Sequence, residues 1–157
     1  MAVTAAAEGT EGMAERGTIL LVEARFYDAI ADDLARGATT VLEAAGFGTE
    51  RLPVTGVFEV PAAIRLAVAG GGGYAGYLAL GCVIRGETDH YDHICREASR
   101  ALMDIAVSGV ALGFGILTCD TRQQAEERAD PARRDKGAEA AHACLRMIEL
   151  GQRFQAG

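Results

Sequence analysis

The sequence has no tryptophan, three prolines and few aromatic residues, which make up 6% of the chain. It has no apolar run near the roughly 20 residues that a membrane-spanning helix needs. Basic residues are not in excess, because the formal net charge is -7, whereas nucleic-acid binding requires a basic face. These absences argue against a membrane protein and against a general nucleic-acid-binding protein.

The four cysteines show no CxxC spacing, and the chain shows no export signal. Residues 1–17 contain three glutamates and no leucine-rich stretch, so they make a poor signal peptide. We interpret them as a flexible N-terminal tail. Without export, cysteines are expected as buried thiols, and the cytoplasm is the expected location. The cysteines are Cys82, Cys95, Cys119 and Cys144.

Half of the 157 residues are apolar, enough for one domain with a real core, which we assign to residues 18–157. Apolar runs predict strands, the second of them at a sheet edge because it contains Pro53 and the fourth in a central position. Apolar residues at helical spacing predict that the segments between these strands are helices. The predicted strands are 18–24, 50–57, 77–84 and 110–117; the predicted helices are 28–45, 58–71, 90–107, 121–128 and 136–153.

Strands that alternate with helices predict a parallel sheet covered on both faces. The expected fold is a three-layer α/β/α sandwich of the flavodoxin-like type with about four parallel strands, and the tail could add an edge strand. Reactive groups in such a sheet gather where the strands end. Four loops therefore matter, after Ala24, Val57, Ile84 and Leu117.

Two glycine-containing segments could bind phosphate, and their context separates them. "GGGYAG" at residues 71–76 matches a dinucleotide fingerprint, but it follows a predicted helix and precedes a strand, so we interpret it as a turn. "RGETDH" at residues 85–90 follows a strand and opens a helix, where amide groups suit an oxyanion. Thr88 adds a hydroxyl donor, while Asp89 could simply cap the helix.

His90 begins the helix after that loop and is the candidate acid–base, because an imidazole there can transfer protons near neutral pH. His93 lies three residues further on and could share a face with it. A metal site would need a third ligand, and Cys95 projects in another direction on a helix. We therefore expect no metal and place His93 at a surface or interface.

Three further segments have both a structural and a functional interpretation. "GVFEVP" at residues 56–61 and "EARFYD" at residues 23–28 each follow a strand and carry aromatic residues beside an acid. Their rings could pack or stack on a ligand, and Glu59 could complement a helix dipole or hold hydroxyl groups. "AEERADPARRDKG" at residues 125–137 is the densest supply of cations, although such runs are usually solvated.

Taken together, these segments resemble the 6,7-dimethyl-8-ribityllumazine synthases. The resemblance runs in order from Thr18 to Phe154. It includes "ARF", "GVFEVP", "GCVIRGETDHYDHI", "FGILT", "QAEERA" and "DKG". It implies a transferase of riboflavin biosynthesis that condenses 5-amino-6-(D-ribitylamino)uracil with 3,4-dihydroxy-2-butanone 4-phosphate, releasing phosphate and water. No redox change occurs, so no cofactor is expected.

The resemblance also implies roles for individual residues. His90 would transfer protons. The phosphate would lie on Glu87, Thr88 and Arg128. Phe114, Arg128 and Lys136 would come from a neighbouring subunit. The pyrimidine and ribityl chain would contact Phe26, Val57, Phe58, Glu59, Cys82, Val83, Ile84, Phe114 and Lys136.

A site shared between chains implies a homopentamer. A 60-chain icosahedral shell and association with riboflavin synthase are left open.

Two positions depart from the family, which commonly has asparagine at Tyr27 and alanine at Val57. The valine could tighten the pocket or change ligand affinity. The rival hypotheses are a non-catalytic oligomer that binds riboflavin or a flavin nucleotide, and a structural shell subunit with a decayed site.

Overall fold

The computed structural model describes residues 16–86 and 90–155, so most of the predicted tail and the edge strand that it could add lie outside the described residues. Within these ranges ten elements follow in order, including one short 3-10 turn. The strands are β1 (Thr18–Ala24), β2 (Gly48–Val54), β3 (Gly76–Ile84) and β4 (Leu112–Cys119). The helices are α1 (Asp28–Ala44), α2 (Val60–Ala69), α3 (His90–Val107), α4 (Arg122–Ala129) and α5 (Lys136–Gln155), and the 3-10 turn is Val57–Glu59.

The four strands form one parallel sheet in the order β2-β1-β3-β4. Val22 of β1 pairs with Leu52 on one side and with Ala79 on the other, and Ala79 pairs in turn with Phe114. All four strands consequently end at the same edge of the sheet. The predicted three-layer α/β/α sandwich is confirmed.

Two apolar cores lie on opposite faces of this sheet. On one face, α1, α4 and α5 cover a cluster that includes Leu34, Leu78 and Cys144. On the other, α2 and α3 cover a cluster that includes Val22 and Ile64. Nearly every β1 and β3 side chain is buried because both strands are covered on both faces.

The predicted boundaries are accurate except around β2 and β4. β2 begins at Gly48 and ends at Val54, whereas the prediction placed Val57 in the strand; the chain instead makes its 3-10 turn there. Pro53 lies in an edge strand, as predicted. The prediction of a central position for the fourth strand is wrong among the described residues, where β4 pairs only with β3.

No helix within the described residues has the length and apolar character needed to cross a membrane. Three of the four cysteines are buried and the fourth, Cys95, is half-buried, and all four are free thiols.

An ionic network centred on the buried Glu23, hereafter the Glu23 network, joins β1, β2 and α1. Glu23 is only 1% exposed, and Arg51 donates to its two oxygens, each across 2.6 Å. Arg25 donates to Glu23 and to Asp32 across 3.0 Å, and Arg51 also donates to Asp32 across 2.8 Å. The hydrogen bond from Arg25, and then that from Arg51, lowers the pKa of Asp32. A buried carboxylate needs such partners.

Helices α1 and α5 cross closely because glycines face the contact. A Cβ atom on Gly137 would overlap the carbonyl oxygen of Leu34 in α1. A Cβ atom on Gly37 would overlap the side chain of Asp135, just before α5. This contact fixes the start of α5 and therefore the position of Lys136.

Replacing Gly137 with alanine should lower the free energy of unfolding by about 1–3 kcal/mol, because the added methyl group forces the two helices apart. Gly151→Ala in the same helix is the matched control, because its Cβ would meet nothing within 4 Å. That substitution should be neutral or stabilising by up to about 1 kcal/mol. Urea unfolding at one fixed protein concentration measures both, and equal stability of the two variants would contradict the close-contact argument.

Candidate active site

A cavity of about 520 Å³ opens where β1, β2 and β3 end. Its size lies within the roughly 300–1,000 Å³ typical of small-molecule sites. Each strand end contributes one wall, and the start of α3 contributes the fourth. The walls are Phe26 and Tyr27, residues 56–59, residues 82–84, and His90 with Ile94. The lining is mainly apolar and aromatic, and Glu59 and His90 add a carboxyl group and an imidazole.

The β1 wall presents one exposed ring beside one anchored ring. Phe26 is 75% exposed, whereas Tyr27 packs against the core under α1. The two rings meet edge to face, with centroids 5.0 Å apart and planes at 80°. The Arg122 guanidinium lies over the Tyr27 ring, 5.4 Å from its centre. Phe26 therefore offers a flat apolar face for stacking.

The β2 wall is the 3-10 turn between β2 and α2. Phe58 is 60% exposed there, and Glu59 is also exposed. Gly56 begins the turn without a side-chain cap, so the first N–H groups of the turn have no partner supplied by a capping side chain. Such a turn combines an apolar ring, a carboxylate and backbone donors.

Val57 lines the cavity but directs most of its bulk into the core. It is 6% exposed and packs in the cluster under α2 and α3. A Cβ atom at Gly81 would lie 3.0 Å from the Val57 Cγ2 atom, so the glycine leaves room for the valine. One of the two methyl groups that valine adds relative to alanine, Cγ2, thus lies against β3, while Val57 still lines the cavity.

The β3 wall is formed by Cys82, Val83 and Ile84. Burial, together with the neighbouring Cys119 thiol, raises the pKa of Cys82 to about 12. Its sulfur therefore remains a protonated thiol at neutral pH and is a poor nucleophile. Cys82 forms part of the wall and has no electrostatic preparation for covalent chemistry.

His90 is the first residue of α3 and is exposed at the cavity. The helix N-terminus provides a partial positive charge beside it. Ile94 lies one turn further along the same face and also lines the cavity. The predicted phosphate residues Glu87 and Thr88, and also Asp89, lie outside the described residues.

Three residues predicted for the site do not line this cavity. Phe114 is 48% exposed on β4 and lines a second groove of about 400 Å³ with Leu102 and Met103. Arg128 lies in α4, where its Nη1 atom donates to the Thr118 carbonyl oxygen across 3.3 Å.

The same Arg128 nitrogen lies 3.1 Å from the Cys119 sulfur. Lys136 begins α5 and pairs with Glu139 across 2.8 Å. Helices α4 and α5 pack on the face of the sheet opposite α2 and α3. Within one chain, both cations therefore belong to the other layer from the His90 helix.

Sequence reasoning did not select Ile94 or Gly56 as lining residues, although both lie within quoted motifs. The spacing of four residues between His90 and Ile94 is the signal that places both on one helical face. Within residues 16–86 and 90–155, no three histidine, cysteine, aspartate or glutamate side chains are grouped so that they could hold a metal ion.

Comparison with known proteins identifies the family. The family model for 6,7-dimethyl-8-ribityllumazine synthase matches residues 16–152. A protein of that name from Erythrobacter litoralis is 49% identical over 137 residues, covering 87% of this chain and 97% of the relative. The 6,7-dimethyl-8-ribityllumazine synthase 1 of Rhizobium meliloti is 52% identical over 143 residues, covering 88% and 94%.

A third relative, the 6,7-dimethyl-8-ribityllumazine synthase of Sphingopyxis alaskensis, is 47% identical over 139 residues, covering 88% of this chain and 98% of its own. The similarity thus spans the whole sandwich and all four walls of the cavity. The chain belongs to the 6,7-dimethyl-8-ribityllumazine synthase family.

Proposed function

We propose that this chain is a transferase that makes 6,7-dimethyl-8-ribityllumazine for riboflavin biosynthesis. Its substrates are 5-amino-6-(D-ribitylamino)uracil and 3,4-dihydroxy-2-butanone 4-phosphate, and phosphate and water are released. The single observation that carries the proposal is the cavity at the strand ends, whose aromatic, carboxylate and imidazole groups suit these substrates. The family membership of the chain supports the same reaction.

The proposed pose follows from the walls of the cavity. The pyrimidine ring stacks on Phe26, which is the exposed ring of the β1 wall. Phe58, Glu59 and the backbone of their turn hold the ring and the hydroxyl groups of the ribityl chain. Val57 and residues 82–84 close the apolar side of the cavity.

The chemistry needs juxtaposition and proton transfer. The uracil amine attacks the ketone to give a carbinolamine and then an imine, phosphate leaves, and the second amine closes the ring. His90 at the cavity is the proposed proton carrier. Alignment of two reactive substrates supplies most of the rate. Oxidation states do not change, and we propose no cofactor and no metal.

We propose that a neighbouring subunit completes the site. Arg128 and Lys136 lie on the opposite layer from His90 in one chain, so a second copy is the natural source of a cation at the cavity. Arg128 would hold the phosphate together with Glu87 and Thr88. Phe114 and Lys136 would complete the pyrimidine and ribityl contacts.

A shared site of this kind supports a homopentamer formed through heterologous contacts. A 60-chain shell and an association with riboflavin synthase are extensions of that assembly. Residues 18–157 would act as one domain after a flexible tail. The free, mostly buried thiols suit a reducing compartment, and we place the protein in the cytoplasm.

Mixing the two substrates with the purified chain should produce the lumazine chromophore. A chain that binds riboflavin without producing this absorbance would instead be the non-catalytic flavin binder.

His90→Ala should reduce kcat by about 10²–10⁴-fold, the usual contribution of a positioned acid–base, and leave measurable activity. His93→Ala is the matched control, because His93 is exposed on the same helix and does not line the cavity. Full activity of His90→Ala would contradict the proton-transfer role.

Arg128→Ala should raise KM for the phosphorylated ketone by about tenfold or more, since charged hydrogen bonds are worth about 1.5–3 kcal/mol.

Co-expressing His90→Ala chains with Arg128→Ala chains tests where the cation comes from. If each site joins His90 of one chain to Arg128 of the next, about a quarter of the sites in a random mixture are intact. Activity no greater than that of the separate variants would contradict the shared site.

The mass in solution should be a multiple of five chains of 16.4 kDa. A pentamer would have a mass of about 82 kDa and a 60-chain shell about 1 MDa, which light scattering separates easily. A stable monomer or dimer with full activity would contradict the proposed assembly.

A further inference from the structure

The exposed ring of Phe26 raises the question of what holds it in place. At 75% exposure it gains little from packing, and its ring meets the Tyr27 ring edge to face. Its position must therefore come from the backbone on either side. Tyr27 is anchored in the core under α1, and Arg25 is anchored by the Glu23 network.

Arg25 is held by both its backbone and its side chain. Its backbone N–H donates to the carbonyl oxygen of Val54, the last residue of β2, across 3.2 Å. Its guanidinium pairs with Glu23 and Asp32 across 3.0 Å and with Asp28 across 3.1 Å. Three carboxylates thus fix the residue immediately before Phe26.

Two of these carboxylates, Glu23 and Asp32, also bind the strand that leads to the neighbouring wall of the cavity. Arg51 lies in β2, which runs directly into the turn at residues 56–59. Arg51 binds Glu23 through two nitrogens and Asp32 through one of them. Asp32 therefore accepts hydrogen bonds from both arginines, of which Arg25 directly precedes the Phe26 wall and Arg51 lies in the strand before the 56–59 wall.

We propose that Asp32, together with the buried Glu23, is a positioning residue for the pyrimidine substrate. Acting through Arg25 and Arg51, these carboxylates hold the Phe26 wall and the 56–59 wall at a fixed spacing, so that a flat ring enters a preformed slot. This inference rests on the proposed function of the cavity. Neither carboxylate lines the cavity.

The physical basis is preorganisation. A ring on a loosely held loop must be ordered when the ligand binds, and that ordering weakens binding. A network that orders the loop in the free protein removes this cost. Ordinary surface ion pairs contribute little. If the Asp32 contacts were of that kind, loss of Asp32 alone would leave substrate binding unchanged.

The test compares Asp32→Asn with Asp33→Asn. Asp33 neighbours Asp32 in α1 but pairs with Arg36, outside the Glu23 network. We expect Asp32→Asn to raise KM for the ribitylaminouracil about 3- to 10-fold, the size expected for ordering one side chain on binding. Its kcat and its KM for the phosphorylated ketone should stay within about twofold of wild type, and Asp32→Glu should restore binding.

Equal kinetics for Asp32→Asn and Asp33→Asn would overturn the positioning role. A parallel loss of kcat and of both substrate affinities would also overturn it, because that pattern indicates general damage to the fold.

Hydrogen exchange separates this inference from the proposed function. Asp32→Asn should speed amide exchange at residues 25–27 and at residues 56–59 relative to Asp33→Asn, even if the chain makes no lumazine. Faster exchange at only the first segment, or at neither, would show that Asp32 does not tie the two walls together. Failure of the wild-type chain to make lumazine would overturn the function but leave this measurement intact.

Discussion

Parallel pairing of the four strands is the constraint on which the rest of the molecule depends. Each strand can join the sheet in parallel only if the chain crosses over one of its faces and starts again at the same edge. The crossovers provide the helices that bury both faces, and they bring every strand end to one edge. The cavity at the ends of β1, β2 and β3 is the direct consequence.

The two faces of the sheet carry different parts of the proposed chemistry. The face under α2 and α3 carries His90, while α4 and α5 on the other face carry Arg128 and Lys136. Neither cation lines the cavity of its own chain. If catalysis needs an imidazole and a guanidinium at the same substrate, then association becomes part of the active site as well as a source of stability.

Much of this fold could be predicted from the sequence because β1 and β3 are continuous apolar runs and the helices have clear apolar spacing. The end of β2 was misplaced because Val57 resembles a strand residue, although Gly56 turns the chain before it. The edge position of β4 depends on strand order, which is a tertiary property that local patterns do not encode.

The candidate site likewise has parts that the sequence predicts and parts that it does not. That the loops after β1, β2 and β3 meet was predictable because strand ends converge, whereas the pocket roles of Phe26, residues 57–59 and residues 82–84 were implied by the family resemblance. The Glu23 network was not predictable, because Glu23 and Arg51 are far apart in the chain and Glu23 lies in an otherwise mainly apolar strand. Pairing between distant charges becomes visible only when the strands are placed side by side.

The close crossing at Gly37 and Gly137 makes the two faces of the sheet unequally tolerant of change. A methyl group on Gly137 would meet the backbone carbonyl of Leu34, and one on Gly37 would meet the Asp135 carboxylate, so neither position has room for it. Laboratory redesign of this scaffold, or natural drift, can remodel the α2–α3 side by exchanging side chains of different size. The α1–α5 side accepts no such exchange at its glycines, so new ligand specificities should arise by variation on one face while the other stays constant.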